Sequence, residues 1–271
     1  MKKIAFIGAG NMNGAIISGL VAKGYSPESI MVSNPSAPKR EALSQQHGIL
    51  QTSSNTEAVA FADYVVLGVK PHLIAQVCQD IIKHTAIIDK CFVSVAAGCT
   101  IEQIQQALNG KVPVIRTMPN TPAQLGLGVS GLFASNEVND EQKQQTTAFM
   151  EAVGIVKWLS TEAEIDHIIA VSGSAPAYFF LFMEAMQSKA QALGFTETES
   201  RQLVQQTALG AAHMVVENDI PISQLRKNVC SKGGTTQAAI DSFVNDGLEQ
   251  LVTNAMNSAL HRAKEMAQNS Q

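Results

Sequence analysis

The chain has 271 residues, 45% hydrophobic and 15% charged, with a net charge of −4 and a pI near 5.9. This balance describes a globular chain with a modestly charged surface and enough length for two domains. It excludes a basic nucleic-acid-binding surface, and no apolar stretch approaches the ~20 residues of a membrane span, "AYFFLFMEAM" coming closest before Glu184 interrupts it.

The N-terminal "MKKIAFIGAG" opens like a signal peptide, but its apolar run breaks at glycines and the pattern suits a strand. In chain order, strands are expected at Ile4–Ile7, Ile30–Ser33, Tyr64–Val69, Phe92–Val95, Val114–Thr117, Val129–Ala134 and Ile155–Leu159. Helical patterns begin between several of them, near Asn11, Lys39, Leu73, Thr100 and Asp140. Thr100 with Gln103 forms a capping box, and Gly48 is placed as a C-cap. Apolar strands alternating with helices imply a parallel sheet covered on both faces. After residue 160 strands stop, and 163–171, 175–193, 198–217 and 248–267 read as helices, with shorter ones near 222–229 and 236–245. The expected fold is therefore α/β: a doubly wound Rossmann-type domain, 1–160, followed by an all-helical domain, 161–271. The helix 175–193 is apolar almost all round, from Tyr178 to Met183, and so calls for burial on every side. A helical domain of ~110 residues can hardly bury it alone, which points to self-association.

Cys78, Cys91, Cys99 and Cys230 lack C-x-x-C spacing and read as reduced, mostly buried thiols of a cytoplasmic protein. The six histidines show no pair at metal-ligand spacing, so no metal site is expected.

"FIGAGNMNGA" follows a strand and opens a helix, the context a dinucleotide-binding turn requires. Gly8 permits the tight turn, and Gly10 lets the backbone approach a pyrophosphate at the helix N-terminus. Asn13 stands where G-x-G-x-x-G has its third glycine, with Gly14 one residue late. That glycine serves helix–strand packing, so Asn13 fits if the helix sits slightly farther out or the side chain points aside. The second strand ends in "VSNPSAPKR", without the acidic residue that accepts a ribose 2′-hydroxyl ~20 residues past the glycines. Ser33, Asn34, Ser36, Lys39 and Arg40 suit a 2′-phosphate instead, so NADPH is the expected cofactor, with NADH possible. "GVKPH" and "VAAG" lie at strand C-termini, the edge where open α/β sheets bind ligands, and "RTMPNTPA" follows another strand there. In "SGSAPAY", Ser174 reads as an N-cap with Pro176 in the first turn. In "VCSKGGTTQAAI", paired glycines feed a helix whose free N–H groups could hold a carboxylate. Taken singly, both read as simple capping.

Together and in order, "FIGAGNM", "VKPH", "SVAAG", "RTMPNTPA", "SGSAPAY" and "VCSKGGTT" resemble the pyrroline-5-carboxylate reductases over nearly the whole chain. The resemblance implies reduction of 1-pyrroline-5-carboxylate to proline by an NAD(P)H-binding Rossmann domain, with a helical domain that interlocks in a homodimer or a larger ring. By position it assigns Gly8, Ala9, Gly10, Asn11 and Met12 to the pyrophosphate, with Ile7 also cofactor-binding, Ser33, Asn34 and Ser36 to the ribose phosphate, and Asn55 to the adenosine. Val69, Lys70 and Pro71, then Ala96, Ala97 and Gly98, line the path to the nicotinamide, and Asn228 approaches the cofactor. Ser231, Gly233, Gly234, Thr235 and Thr236 form the substrate site. There the Thr236 hydroxyl, or its neighbour Thr235, can hydrogen-bond the ring nitrogen. Lys232 stands where the family usually has proline, and Ala175 where glycine or serine is common.

Two alternatives are set against this. A β-hydroxyacid-type dehydrogenase places a catalytic lysine one turn before an asparagine on its long helix, whereas Lys189 is followed by Leu193. A nonenzymatic NADP-binding sensor would bind cofactor without imine-dependent oxidation. Glu184, a lone carboxylate on an apolar helix, is assigned a structural role.

Overall fold

The computed structural model describes residues 1–269; the last two positions of the expected 161–271 domain lie outside the described residues. The chain forms two compact units, Met1–Ser174 with Ala259–Gln271, and Ala175–Ser258.

The first unit carries eight strands: β1 (Ile4–Ile7), β2 (Ile30–Ser33), β3 (Leu50–Thr52), β4 (Tyr64–Leu67), β5 (Cys91–Ser94), β6 (Val114–Met118), β7 (Gly128–Ala134) and β8 (Gly154–Trp158). They form one sheet in the order β3-β2-β1-β4-β5-β6-β7-β8. β3 through β6 run parallel, as the apolar strands predicted, and β7 pairs antiparallel with β6 before β8 joins parallel to β7. The reversal follows from chain length. Only residues 119–127 connect β6 to β7, fewer than the dozen or more a parallel crossover needs.

Side-chain alternation along β1 sorts the core into two layers. Ile4 and Phe6 pack with Ile16, Ile17 and Leu20 of α1 (Asn11–Ala22) and with Phe149 and Met150 of the later helix Asp140–Glu151. On that side Phe149 meets Tyr64 and Tyr25 edge-on, with ring centroids 5.1 and 5.8 Å apart. Ala5 and Ile7 join the opposite layer, built on Ala58 and Val59, on Ile74, Cys78 and Ile81, and on Ile101 and Ile104. These come from three helices: α3 (Asn55–Phe61), α4 (Ile74–His84) and α5 (Ile101–Ala107), α2 being Ala37–His47. Burial pushes the thiols of Cys78 and Cys91 up to about 12, which keeps them protonated and inert. All four cysteines are free.

An ion pair between a buried arginine and a half-buried glutamate braces the sheet beside α5. Arg116 on β6, 4% exposed, donates to Glu162 at 3.0 Å, and the same carboxylate oxygen accepts from the Ile101 N–H at 2.8 Å. Glu162 thus satisfies one of the free amides at the start of α5 while neutralising Arg116.

Two sequence expectations are corrected where the strands end. The segments 163–171 and 175–193 were expected as separate helices with Ser174 as N-cap. Instead α7 (Glu164–Ile168) passes through a π-turn, Ile169–Gly173, into α8 (Ala175–Ala192), after α6 (Asp140–Glu151). Ser174 is helical, with φ −88° and ψ −22°, and its N–H reaches back five residues to the Ile169 carbonyl at 2.8 Å. Pro176 has no N–H for the Ser172 carbonyl four residues earlier. That carbonyl accepts from the Asn120 side chain at 3.0 Å. Because the π-turn does not interrupt the helix, the run Glu164–Ala192 reaches 29 residues and contains an 18-residue stretch with a mean hydropathy of 1.4, long and apolar enough by length and composition alone to cross a membrane. The expectation that no stretch approaches that length does not hold.

The remaining helices are α9 (Glu197–Val216), α10 (Ile222–Asn228), α11 (Thr235–Asn245) and α12 (Leu248–Asn269). A capping box of Thr196 and Glu199 starts α9. On α8, Phe179, Phe180 and Leu181 are 67, 64 and 68% exposed within the single chain.

Candidate active site

The glycine turn sits between three strand ends. Gly8 (φ +100°) donates its N–H to the Ser33 carbonyl of β2 at 2.7 Å, and the Gly68 N–H at the end of β4 donates to the Ile7 carbonyl at 2.9 Å. A Cβ on Gly8 would lie 2.6 Å from the Gly68 carbonyl oxygen, so only glycine fits there. Gly10 caps α1 in extended geometry without a side-chain hydrogen bond, and its nearest neighbour in the Cβ direction lies 3.8 Å away. The amides of Asn11, Met12 and Asn13 therefore meet an open approach at a positive helix end, which fits a pyrophosphate.

Asn13 departs from what the sequence implied. Its side chain does not point aside into solvent: it is 1% exposed and donates through Nδ2 to the carbonyls of Gly8 at 2.7 Å and Ile7 at 3.3 Å. Room for it exists because residue 68 is glycine, where any Cβ would collide with the Asn13 amide.

The loop after β2 is tied to this turn by hydrogen bonds. Ala9 N–H donates to Asn34 Oδ1 at 3.2 Å, and Asn34 Nδ2 donates to the Ser36 carbonyl at 3.0 Å. Ser33 is fully buried, with its hydroxyl donating to Asn55 Oδ1 at 2.7 Å. Arg40 holds the loop from below, donating to the carbonyls of Asn34 and Pro35 and to Gln51. Ser36 and Lys39 face solvent, and Ser36 caps α2 without a side-chain hydrogen bond. The loop thus combines a free helix N-terminus, a hydroxyl and cations with no carboxylate between 33 and 40.

Val69, Lys70 and Pro71 continue from Gly68, with Lys70 exposed. Ala96, Ala97 and Gly98 follow the neighbouring strand β5, and Cys99 Sγ, 3.6 Å from the Pro71 carbonyl, bridges the two loops. Burial raises the Cys99 thiol above its ordinary range, with Arg116 pulling weakly the other way.

In the second unit the loop before α11 is self-contained. Gly234 N–H donates to the Ser231 carbonyl at 2.9 Å, and a Cβ on Gly234 would collide with Ser231 Oγ. Gly234 caps α11 in extended geometry with no side-chain hydrogen bond, and Thr235 and Thr236 are exposed as its first two residues. The loop presents free amides and two hydroxyls, the chemistry that holds a small carboxylate. Asn228, exposed at the end of α10, accepts from Gln224 at 2.8 Å.

Residues 162–266 match the family described as "Pyrroline-5-carboxylate reductase dimerisation", and residues 3–98 match "NADP oxidoreductase coenzyme F420-dependent". The pyrroline-5-carboxylate reductase of Vibrio alginolyticus is 50% identical over 98% of this chain and 97% of its own. The chain belongs to the pyrroline-5-carboxylate reductase family. Among solved structures, the Coxiella burnetii pyrroline-5-carboxylate reductase superposes with a TM-score of 0.94 at 41% identity, covering 98% of both chains. The Plasmodium falciparum pyrroline carboxylate reductase, solved with NADP bound, gives 0.86 at 27% identity over 98% of both.

Two supports of this sheet edge join residues far apart in the chain. Asn120 donates to the Ser172 carbonyl and accepts from the Val129 N–H at 2.9 Å, joining the β6–β7 connection to the π-turn. Its signal lay in Pro176 of "SGSAPAY", which removes the N–H that the Ser172 carbonyl would otherwise meet and so leaves an acceptor in need of a side-chain donor. The Glu162–Arg116 pair left no comparable signal, because 46 residues separate its members.

Proposed function

We propose that this chain reduces 1-pyrroline-5-carboxylate to L-proline with NADPH. The observation that carries the reading is the hydrogen-bonded continuity of the Gly8–Gly10 turn with a carboxylate-free loop after β2, in a chain matched end to end by reductases of this name. Residues 1–160 serve the cofactor, and 161–271 serve substrate binding and dimerisation.

Reduced nicotinamide, when bound, supplies the hydride that adds to the imine carbon. The chain's residues supply position and field. Amides at the start of α1 hold the pyrophosphate, with Ser36 and Lys39 toward the 2′-phosphate. Ser33 and Asn55 fix the loop that carries them. The amides at Gly234–Thr236 hold the substrate carboxylate without an arginine, and Ser231 stiffens that loop through its contact with Gly234. The Thr236 hydroxyl donates toward the ring nitrogen, which takes its proton from solvent as the carbon accepts hydride. Positioning and electrostatics therefore dominate the rate. The four free thiols support a reducing, cytoplasmic setting.

Incubating the chain with 1-pyrroline-5-carboxylate and NADPH is expected to yield one proline per NADPH oxidised. NADPH should exceed NADH in kcat/KM by roughly ten- to a hundredfold, the worth of a charge-assisted phosphate contact. NADPH binding without imine-dependent oxidation would contradict the reaction, and equal use of NADH would remove the loop at 33–40 as a phosphate site.

Self-association belongs to the matched dimerisation family, and the homodimer, alone or within a larger ring, is assigned to the apolar surface of α8. Light scattering at micromolar concentration is expected to report a dimer or a multiple of it. A compact, active monomer would contradict this assignment.

Thr236→Val keeps the side-chain shape and removes the donor, leaving the carboxylate-binding amides in place. Because such a hydrogen bond strengthens at the transition state, kcat/KM is expected to fall roughly tenfold or more, with NADPH affinity little changed. Thr236→Ser retains the donor and should stay close to the parent. A fully active valine variant, or an equally impaired serine variant, would transfer the role to Thr235.

A further inference from the structure

We propose that Asn13 is a positioning residue for the cofactor turn, and that Gly68 is the counterpart that makes it possible. The inference rests on the reading of Gly8–Met12 as the pyrophosphate-binding turn. It concerns a residue that takes no part in the chemistry and that the glycine fingerprint would replace by glycine.

A third glycine in that fingerprint works by absence, allowing helix and strand to approach. Here the approach is achieved differently. Asn13 sits on the first turn of α1 with its side chain directed back under the turn, 1% exposed. One amide nitrogen serves two carbonyls, those of Ile7 and Gly8, the residues on either side of the bend. The Gly8 carbonyl belongs to the peptide that links Gly8 to Ala9, whose N–H is held by Asn34. Asn13 and Asn34 therefore grip the same peptide group from its two ends, one by the oxygen and the other by the nitrogen. A peptide plane held at both ends cannot rotate without breaking a hydrogen bond, so the amides that follow it are presented in a fixed direction.

The counterpart is on β4's exit. Gly68 does not have a positive φ, so its backbone does not itself demand glycine. What excludes a side chain there is Asn13: the three heavy atoms nearest to a Cβ at position 68 are its Nδ2, Oδ1 and Cγ. Asn13 Oδ1 is buried without a hydrogen-bond partner. A buried unpaired acceptor is unfavourable, and it is retained where the same amide's nitrogen holds the turn. Asn13 and Gly68 thus form a complementary pair, in which volume missing from one residue is occupied by the other.

The test is a double-mutant cycle read by NADPH affinity, by the melting temperature of the cofactor-free chain, and by separate kcat and KM values. Asn13→Leu fills the same space without a donor and is expected to weaken NADPH binding about tenfold, as loss of the two hydrogen bonds implies. KM for NADPH should rise with it, while kcat at saturating NADPH falls much less, a split that general loss of folded protein would not produce. Gly68→Ala is expected to weaken binding more than tenfold and lower the melting temperature. Asn13→Gly placed on Gly68→Ala should restore both toward the values of Asn13→Gly alone, because the new methyl then occupies the vacated volume. Wild-type affinity in Asn13→Leu, or a Gly68→Ala defect of equal size in both backgrounds, would overturn the proposal while leaving the cofactor reading intact. Failure of the unmodified chain to bind NADPH would instead remove that reading, and the proposal with it.

Discussion

The first unit depends on one close approach: the bend after β1 lies against the exit of β4, with the Gly8 Cβ direction facing the Gly68 carbonyl at 2.6 Å. Everything useful at this edge follows from it. β1 is the strand from which the sheet grows both ways, to β2 and β3 on one side and β4 onward on the other. The crevice beyond the strand ends therefore opens at this bend. Any side chain at Gly8 would push the bend outward and turn the α1 amides away from the place where β2 and β4 deliver their loops. The turn is consequently tied to all its neighbours: by Ser33 and Asn34 on one side and by Gly68 on the other.

The second unit reaches a related result by a different local route. At α1 the anion-binding end is shaped by neighbouring strands. At α11 it is shaped within six residues, Ser231 to Thr236, by a turn that Gly234 closes on Ser231. Both helices begin at a glycine in extended geometry with no side-chain cap. A serine or aspartate cap would stabilise either helix by a few tenths of a kcal/mol over glycine and would place its own oxygen where a ligand's oxygen is wanted. Leaving the cap to the ligand converts a deficit in the free protein into binding energy.

Much of this was legible in the sequence because it is carried by local signals. Apolar tetrads such as "IAFI" and "YVVL" read as strands since both faces are buried, and "TIEQ" and "NDEQ" mark helix starts through their own reciprocal hydrogen bonds. What escaped was either too short or too distant. β3 has three residues, two of them exposed, and so carries no apolar run. The π-turn is hidden because serine before alanine and proline has the chemistry of a cap; Asn120, some fifty residues upstream, is what makes continuous helix acceptable there. Asn13 was recognised as a departure, yet its fit depended on Gly68, and no local pattern links positions 13 and 68. Residue types at the candidate site were readable because their chemistry is local, whereas their orientation is set by partners far along the chain.

The most direct test of the account is a crystal structure of the chain grown with NADPH. The pyrophosphate is expected on the amides that open α1, above Gly10, and the 2′-phosphate against Ser36 and Lys39, with the Asn13 amide still under the Gly8 carbonyl. Pyrophosphate bound elsewhere, or a 2′-phosphate directed away from the loop after β2, would contradict it.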